Sequence, residues 1–367
     1  MHIRKITLSS VEIHKRFTSF QNLHYFPELD GLRAISVLMV LAFHTGDILW
    51  TPIHGYLGVT IFFVISGFLI TTLLLREEEM YGKISYRNFY IRRTFRIFPL
   101  YYIALLLFSI LVLGLGLGAD PEGFRDRLPL LTLYLGEFAG SGTFSHSWSL
   151  GIEEKFYIVW PILAFGFFSL RKYRINIALF CLIASIVSTP IEGWNYLAIY
   201  TPILSGCLLA ILLHNQKLFK IINQITSPLP AIITGALIVG LILTNNEDGY
   251  THVTFSLAMT LFLPSLVVGS ESVKKILSWK PLTYVGTRAY GIYLFHPLVM
   301  AVVDKVLNEG SESIALQLLR LITISVFSII VADVLYRIVE QPLIKLGRRL
   351  TVAGGKRSKS VQSTVNL

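Results

Sequence analysis

Long apolar runs, broken by short clusters of charge, proline or glycine, set the rhythm of the chain. The runs are 34–50, 56–75, 97–118, 148–170, 175–189, 196–213, 229–244, 253–268, 281–303 and 314–338. A helix rising about 1.5 Å per residue crosses ~30 Å of hydrocarbon in about 20 residues. The pattern therefore predicts an all-α, polytopic integral membrane protein with about ten transmembrane helices. Pro99 falls in the first turn of the third run, where a missing N–H does no harm. Gly114 and Gly118 form a GxxxG that reads as a close-packing face. Residues 119–147 break the rhythm, because their apolar stretch LPLLTLYLG is too short to span. A re-entrant or interfacial piece on the outer face is expected there.

Composition agrees: 53% of the 367 residues are hydrophobic, only 15% are charged, and mean hydropathy is +0.63. A soluble domain is about a quarter charged. In such a chain the net charge of +10 is a topology signal rather than a sign of nucleic-acid binding. Nearly all Lys and Arg residues fall on the side of the two termini. Arg125, Arg127 and Lys305 lie opposite, and Lys155, Arg288 and Arg320 fall inside spans. Both termini are thus expected in the cytoplasm. Residues 1–28 read as a cytoplasmic N-terminal arm, 29–346 as the membrane domain, and 347–367 as a basic, disordered cytoplasmic tail. No apolar leader is visible in residues 1–27. Cys181 and Cys207 sit in apolar runs and read as small buried residues rather than a disulfide or metal site.

Ionisable residues inside apolar runs carry the candidate chemistry, since leaving them there costs several kilocalories unless they have a task. Arg33 and His44 share the first run, about 16 Å apart along a helix, placing a guanidinium at the inner surface and an imidazole deep in the membrane. Glu153 lies roughly 8 Å below the outer surface on the fourth run, and His296 about 18 Å up the ninth. All three titratable groups fall in the outward half, where they must face the bundle interior or a wet cavity. Each also has a plainer reading: a structural donor for either histidine, a kink at Pro297, a buried pair of Glu153 with Lys155, a packing role for Ser66. Arg93 and Arg96 are three apart and share a helix face. With Arg33 they would form a pocket for a polyanion, a job suited to guanidinium. No HExxH, CxxC, Walker loop or GxSxG occurs, which disfavours metal hydrolysis, nucleotide-driven pumping and serine esterase chemistry. A basic inner pocket below a buried imidazole and carboxylate suits transfer of a group from a charged carrier. A proton-coupled transporter of a small anionic or sugar substrate is the alternative, although no internal repeat supports duplicated halves.

At these residues the chain resembles the membrane acyltransferase-3 family, which O-acylates bacterial surface glycans. ELDGLRAISVLMVLAFH resembles the family's opening motif, GVTIFFVISGFLI its second span, and IRRTFRIFPLYY its third. FSHSWSLGIEEKFYIVWP is similar to its WSL–E–FY signature, and YGIYLFHP and VEQP to its closing motifs. The likeness runs from about Leu29 to Pro342, with Thr60 where an acidic or similar polar residue is usual and Gly151 where Ser or Ala is. It implies that 29–346 is an acyltransferase domain in the bacterial cytoplasmic (inner) membrane. It also implies an acyl-CoA donor, usually acetyl-CoA, and no metal. The acceptor would be a hydroxyl of a lipid-linked or surface glycan, such as lipopolysaccharide, exopolysaccharide or peptidoglycan. On that reading Arg33, Arg93 and Arg96 bind the CoA phosphates, His44 is the general base on the acceptor hydroxyl or on an enzyme group that carries the acyl chain, and Glu153 orients it or protonates the leaving thiolate. Ser66, Trp148 and Ser149 shape the pocket, and His296 and Glu340 support it. Many relatives carry an extracytoplasmic SGNH-type domain. This chain reads as the stand-alone form, in which a second transfer step would fall to a separate protein.

Overall fold

The computed structural model describes residues 10–118, 120–191, 195–244, 249–269, 271–307 and 313–352. Among them the ordered elements are helical, with no strand. An amphipathic α1 (Ser10–Asn22) precedes α2 (Pro27–His44), whose Pro27, Glu28 and Asp30 suit the first turn of a helix. Next come α3 (Leu57–Tyr81), closed by Gly82 at φ 73°, and α4 (Tyr86–Ser109), capped by the Ser85 hydroxyl on the Asn88 N–H. The outer segment folds into α5 (Pro121–Thr132) and two short 3₁₀ turns, of which the second, Ser145–Ser147, leads into α6 (Trp148–Phe165). Then follow α7 (Arg174–Val187), α8 (Thr201–His214), α9 (Gln216–Ile222), α10 (Pro228–Leu243), α11 (Gly249–Val267) and α12 (Glu271–Leu277). The last four are α13 (Lys280–Gly286), α14 (Ala289–Val303), α15 (Ile314–Leu335) and α16 (Gln341–Val352).

Each predicted run contains helix, but the first leaves it after His44, the third after Gly114, and the ninth is split between α13 and α14 at Thr287–Arg288. Among the described residues five helical stretches are long and apolar enough to cross a membrane, and a sixth arises if α9 and α10, bent by 75°, form one broken span. The helices α2 and α6 carry three charges each: Glu28, Asp30 and Arg33 on one, Glu153, Glu154 and Lys155 on the other. Arg33 and Glu153 among them belong to the candidate site. Exposed apolar side chains such as Phe180, Ile232, Ile322, Val326 and Ile330 cover the outside of α7, α10 and α15. Lipid is their natural solvent, and the protein is a multi-pass membrane protein.

At the centre lies α3, packed most closely against α8. Gly67 and Gly206 permit that contact: a Cβ on Gly67 would meet the Ile203 carbonyl oxygen at 1.9 Å, and one on Gly206 the Val64 oxygen at 2.2 Å. Gly114 and Gly118, expected to form a packing face, do not. A Cβ on Gly114 would meet nothing within 4 Å, and one on Gly118 only Val112 of its own segment. The chain runs from α4 into a single π turn at Ile110–Gly114, which ends the helix before a packing surface can form. The first six residues of the expected tail are helical. Residues 347–352 continue α16, whose apolar side packs along α4, with Gly347 against Phe95, while 353–367 lie outside the described residues. Cys181 and Cys207 are free thiols, half-buried and buried.

Candidate functional site

Three histidines converge at one end of the bundle. His44 ends α2, His296 lies on α14, and His146 sits in the 3₁₀ turn before α6. The His44 and His296 ring centres are 4.8 Å apart, and those of His146 and His296 5.4 Å. His296 is fully buried and His146 nearly so, whereas His44 is exposed at the edge of the group. Pro297 explains part of this placement. Having no N–H, it leaves the Tyr293 carbonyl without its helical partner, and His296 Nδ1 donates to that oxygen at 2.7 Å. Tyr293 also donates its hydroxyl to the His146 carbonyl at 2.6 Å and lies 2.7 Å from Ser149 Oγ. Trp148 is half-buried, its ring edge-on to Phe63.

Deeper in the bundle, Ser66 on α3 donates a short hydrogen bond to Glu153 on α6. Neither Glu153 nor His44 hydrogen-bonds the other among the described residues. The carboxylate is held by Ser66, and the His44 ring donates Nδ1–H to the Val40 carbonyl at 2.9 Å. Lys155 does not pair with Glu153 either, but turns to Glu137 in the outer segment. Close packing of that segment accounts for Gly151, since a Cβ there would lie 2.4 Å from the Tyr134 carbonyl oxygen and 2.6 Å from Glu137 Oε2. The serine or alanine usual in similar chains would not fit.

The three arginines meet toward the other end. Arg33 is bonded to Asp30 at 3.1 Å, itself held by the Tyr25 hydroxyl at 2.5 Å. Arg93 lies with its guanidinium 3.6 Å from the Tyr157 ring centre, and its buried Nε has no hydrogen-bond partner. Arg96 has no carboxylate within ion-pair distance among the described residues. It feels the repulsion of Arg33 and Arg93 and the weaker attraction of Glu340 and Asp30. Glu340 is buried, with one carboxylate oxygen unpartnered. Packed guanidinium groups with an orphaned donor make a surface that an anion rich in acceptor oxygens would satisfy.

The structure thus brings Arg33, Arg93, Arg96 and Glu340 into one group, Ser66 and Glu153 into a second, and His44, Ser149 and His296 into a third. It adds residues that the sequence reading did not single out: His146, Tyr293 and Tyr157. His146 carried no local signal, because it closes a segment whose fold was ambiguous. Also new is a clamp at the histidine end. Arg320 on α15, only 1% exposed, bonds Thr45 O at 2.7 Å, Asp47 at 2.9 Å and Asp304 at 2.7 Å, tying the ends of α2 and α14 together.

Comparison with known proteins places this geometry in context. A family pattern described as "Acyltransferase domain" matches residues 26–337. The chain is 27% identical to the peptidoglycan O-acetyltransferase OatA of Listeria monocytogenes, over 91% of this chain and 58% of that protein. It is 29% identical to a Staphylococcus aureus (strain COL) protein named "Putative O-acetyltransferase", over 91% of this chain and 59% of that protein. The chain spans about three-fifths of the length of these curated relatives. No solved structure matches the chain significantly.

Proposed function

The chain belongs to the acyltransferase-3 family, and we propose on that basis that it is an integral membrane O-acyltransferase. It moves an acyl group, acetyl by analogy with its relatives' names, from acyl-CoA at the cytoplasmic face to a hydroxyl of a surface or exported glycan. The observation that carries this reading is the layout of α2. One helix presents Arg33 to a group of guanidinium side chains and, about 16 Å along, His44 to a group of imidazoles. A polyphosphate-bearing thioester fits the first end, and a hydroxyl that must lose a proton fits the second. The transporter alternative finds no support in the comparisons.

In this scheme Arg33, Arg93 and Arg96 bind the phosphates of the donor as charge-assisted hydrogen-bond donors. His44 Nε2, whose partner nitrogen is fixed on Val40, removes the proton of the acceptor hydroxyl. The acceptor oxygen bonds to the thioester carbonyl carbon, the C–S bond breaks, and the thiolate takes up a proton to leave as CoA. Glu153, held by Ser66, delivers a proton toward the sulfur. Ser149 and Trp148 line the acceptor side, and Glu340 balances the arginines. Ten spans with both termini in the cytoplasm of a bacterial inner membrane give the donor end its cytoplasmic exposure.

Inside-out membrane vesicles carrying the full chain, supplied with radiolabelled acetyl-CoA, test the reading. Label should enter the ester-linked glycan fraction in a chain-dependent manner. Acetyl-CoA left intact, with no label in that fraction, would refute it.

A further inference from the structure

Each histidine of the outer group turns one ring nitrogen to a backbone carbonyl: His44 Nδ1 to Val40 at 2.9 Å, His296 Nδ1 to Tyr293 at 2.7 Å, His146 Nε2 to Leu294 at 3.2 Å. A carbonyl oxygen only accepts, so each of those nitrogens carries the hydrogen. The other nitrogen of each neutral ring is then a bare lone pair. These three, His44 Nε2, His146 Nδ1 and His296 Nε2, have no hydrogen-bond partner among the described residues. His296 Nε2 is also sealed from solvent. An orphaned polar atom in a buried site costs about 1–3 kcal/mol and asks for an explanation. Three acceptors grouped without a donor leave one slot open, that of a hydrogen.

We propose that His44, His146 and His296 work as one unit that receives and holds a single proton, with His146 contributing the second buried basic ring. This deepens the transferase reading above and rests on it. As the acceptor O–H breaks, its proton goes to the His44 lone pair, and the oxygen's electron pair forms the new C–O bond. The C–S electrons leave with sulfur, so the imidazole unit becomes cationic as the thiolate forms. It returns to neutral when its proton is passed on, by way of Glu153, to that sulfur. While the proton is held, the new N–H is a donor, and neighbouring ring lone pairs can accept it. The charge is then held in a hydrogen bond rather than left in apolar surroundings. Ring centres 4.8 and 5.4 Å apart allow this once a nitrogen of each ring faces the next. Tyr293 ties the two buried residues together, holding the His296 ring through its carbonyl and the His146 backbone through its hydroxyl. Tyr293 from α14 lies against both buried rings, Ser149 from α6 meets the Tyr293 hydroxyl, and among the described residues no carboxylate hydrogen-bonds any of the three imidazoles.

The test compares His146→Gln with His146→Phe in the vesicle assay with radiolabelled acetyl-CoA, after matching membrane abundance and thermal midpoint to the parent chain. Glutamine can keep a donor for Leu294 and an acceptor facing the cluster, but cannot take up a proton. Both variants should lose at least tenfold in kcat with the KM for acetyl-CoA within twofold of the parent. A His146→Gln variant that retains kcat within threefold while His146→Phe fails would assign His146 a structural role and overturn the proposal. Absence of transfer by the parent chain would remove the transferase reading and the proposal together. Transfer by the parent with both variants fully active would remove the proposal alone.

Discussion

Arg320 and Asp47, both almost wholly buried, face each other at 2.9 Å across the gap between α15 and the end of α2. Because Arg320 also holds Thr45 and Asp304, its removal would leave Asp47 charged and unpaired in the interior. Breaking one partner of such a pair costs about 3–5 kcal/mol. Arg320→Ala should therefore lower the thermal midpoint of the purified protein sharply, and Arg320→Lys should recover part of the loss. An unchanged midpoint for Arg320→Ala would show that the clamp contributes nothing.

Arg96, like Arg93 and unlike Arg33, lacks a carboxylate within ion-pair distance among the described residues. Its loss should weaken donor binding more than fold stability. A charge-assisted hydrogen bond contributes about 1.5–3 kcal/mol, so Arg96→Ala should raise the KM for acetyl-CoA by about tenfold or more. Steady-state kinetics at low and high salt check this, since the parent's KM should rise more steeply with salt than the variant's. Equal KM values would detach Arg96 from the donor.

How much of this was legible in the sequence follows from the physics of each part. Apolar runs and their charged interruptions located the helices, because a helix surrounded by lipid has little other composition open to it. Arg33 and His44 stood out because their types are costly in such runs. His146 did not, since it lies in a short 3₁₀ turn of a mixed segment, where a histidine is unremarkable until its neighbours are known. Glu153 was visible, but its partner was not: local spacing offered Lys155, and tertiary packing supplied Ser66 while sending Lys155 to Glu137. The Gly114–Gly118 pair has the spacing of a packing motif but no opposing helix. Gly67 and Gly206, with no such spacing, do meet a neighbouring backbone.

That contrast gives a prediction with its own control. Gly67→Ala forces a methyl group onto the Ile203 carbonyl, and overpacking of this kind costs about 1–3 kcal/mol. Gly114→Ala meets nothing within 4 Å. Thermal unfolding in one detergent should separate them, with the first destabilised and the second unchanged. Equal midpoints would contradict the close contact of α3 and α8.

Pro297→Ala restores an N–H aimed at the Tyr293 carbonyl, which His296 Nδ1 now occupies. The helix gains a hydrogen bond and the ring loses part of its hold. Transfer should fall severalfold with a thermal midpoint that is unchanged or higher. Full activity would mean that the His296 orientation is set elsewhere.

The most direct test of the central claim, that an anion grip at one end of α2 serves an imidazole base at the other, is analysis of the cell-envelope glycan by mass spectrometry and NMR. Cells carrying the parent chain, the His44→Ala chain at equal membrane abundance, or no chain should be compared. The account predicts O-acyl esters with the parent only. Esters at the parent level with His44→Ala would contradict it.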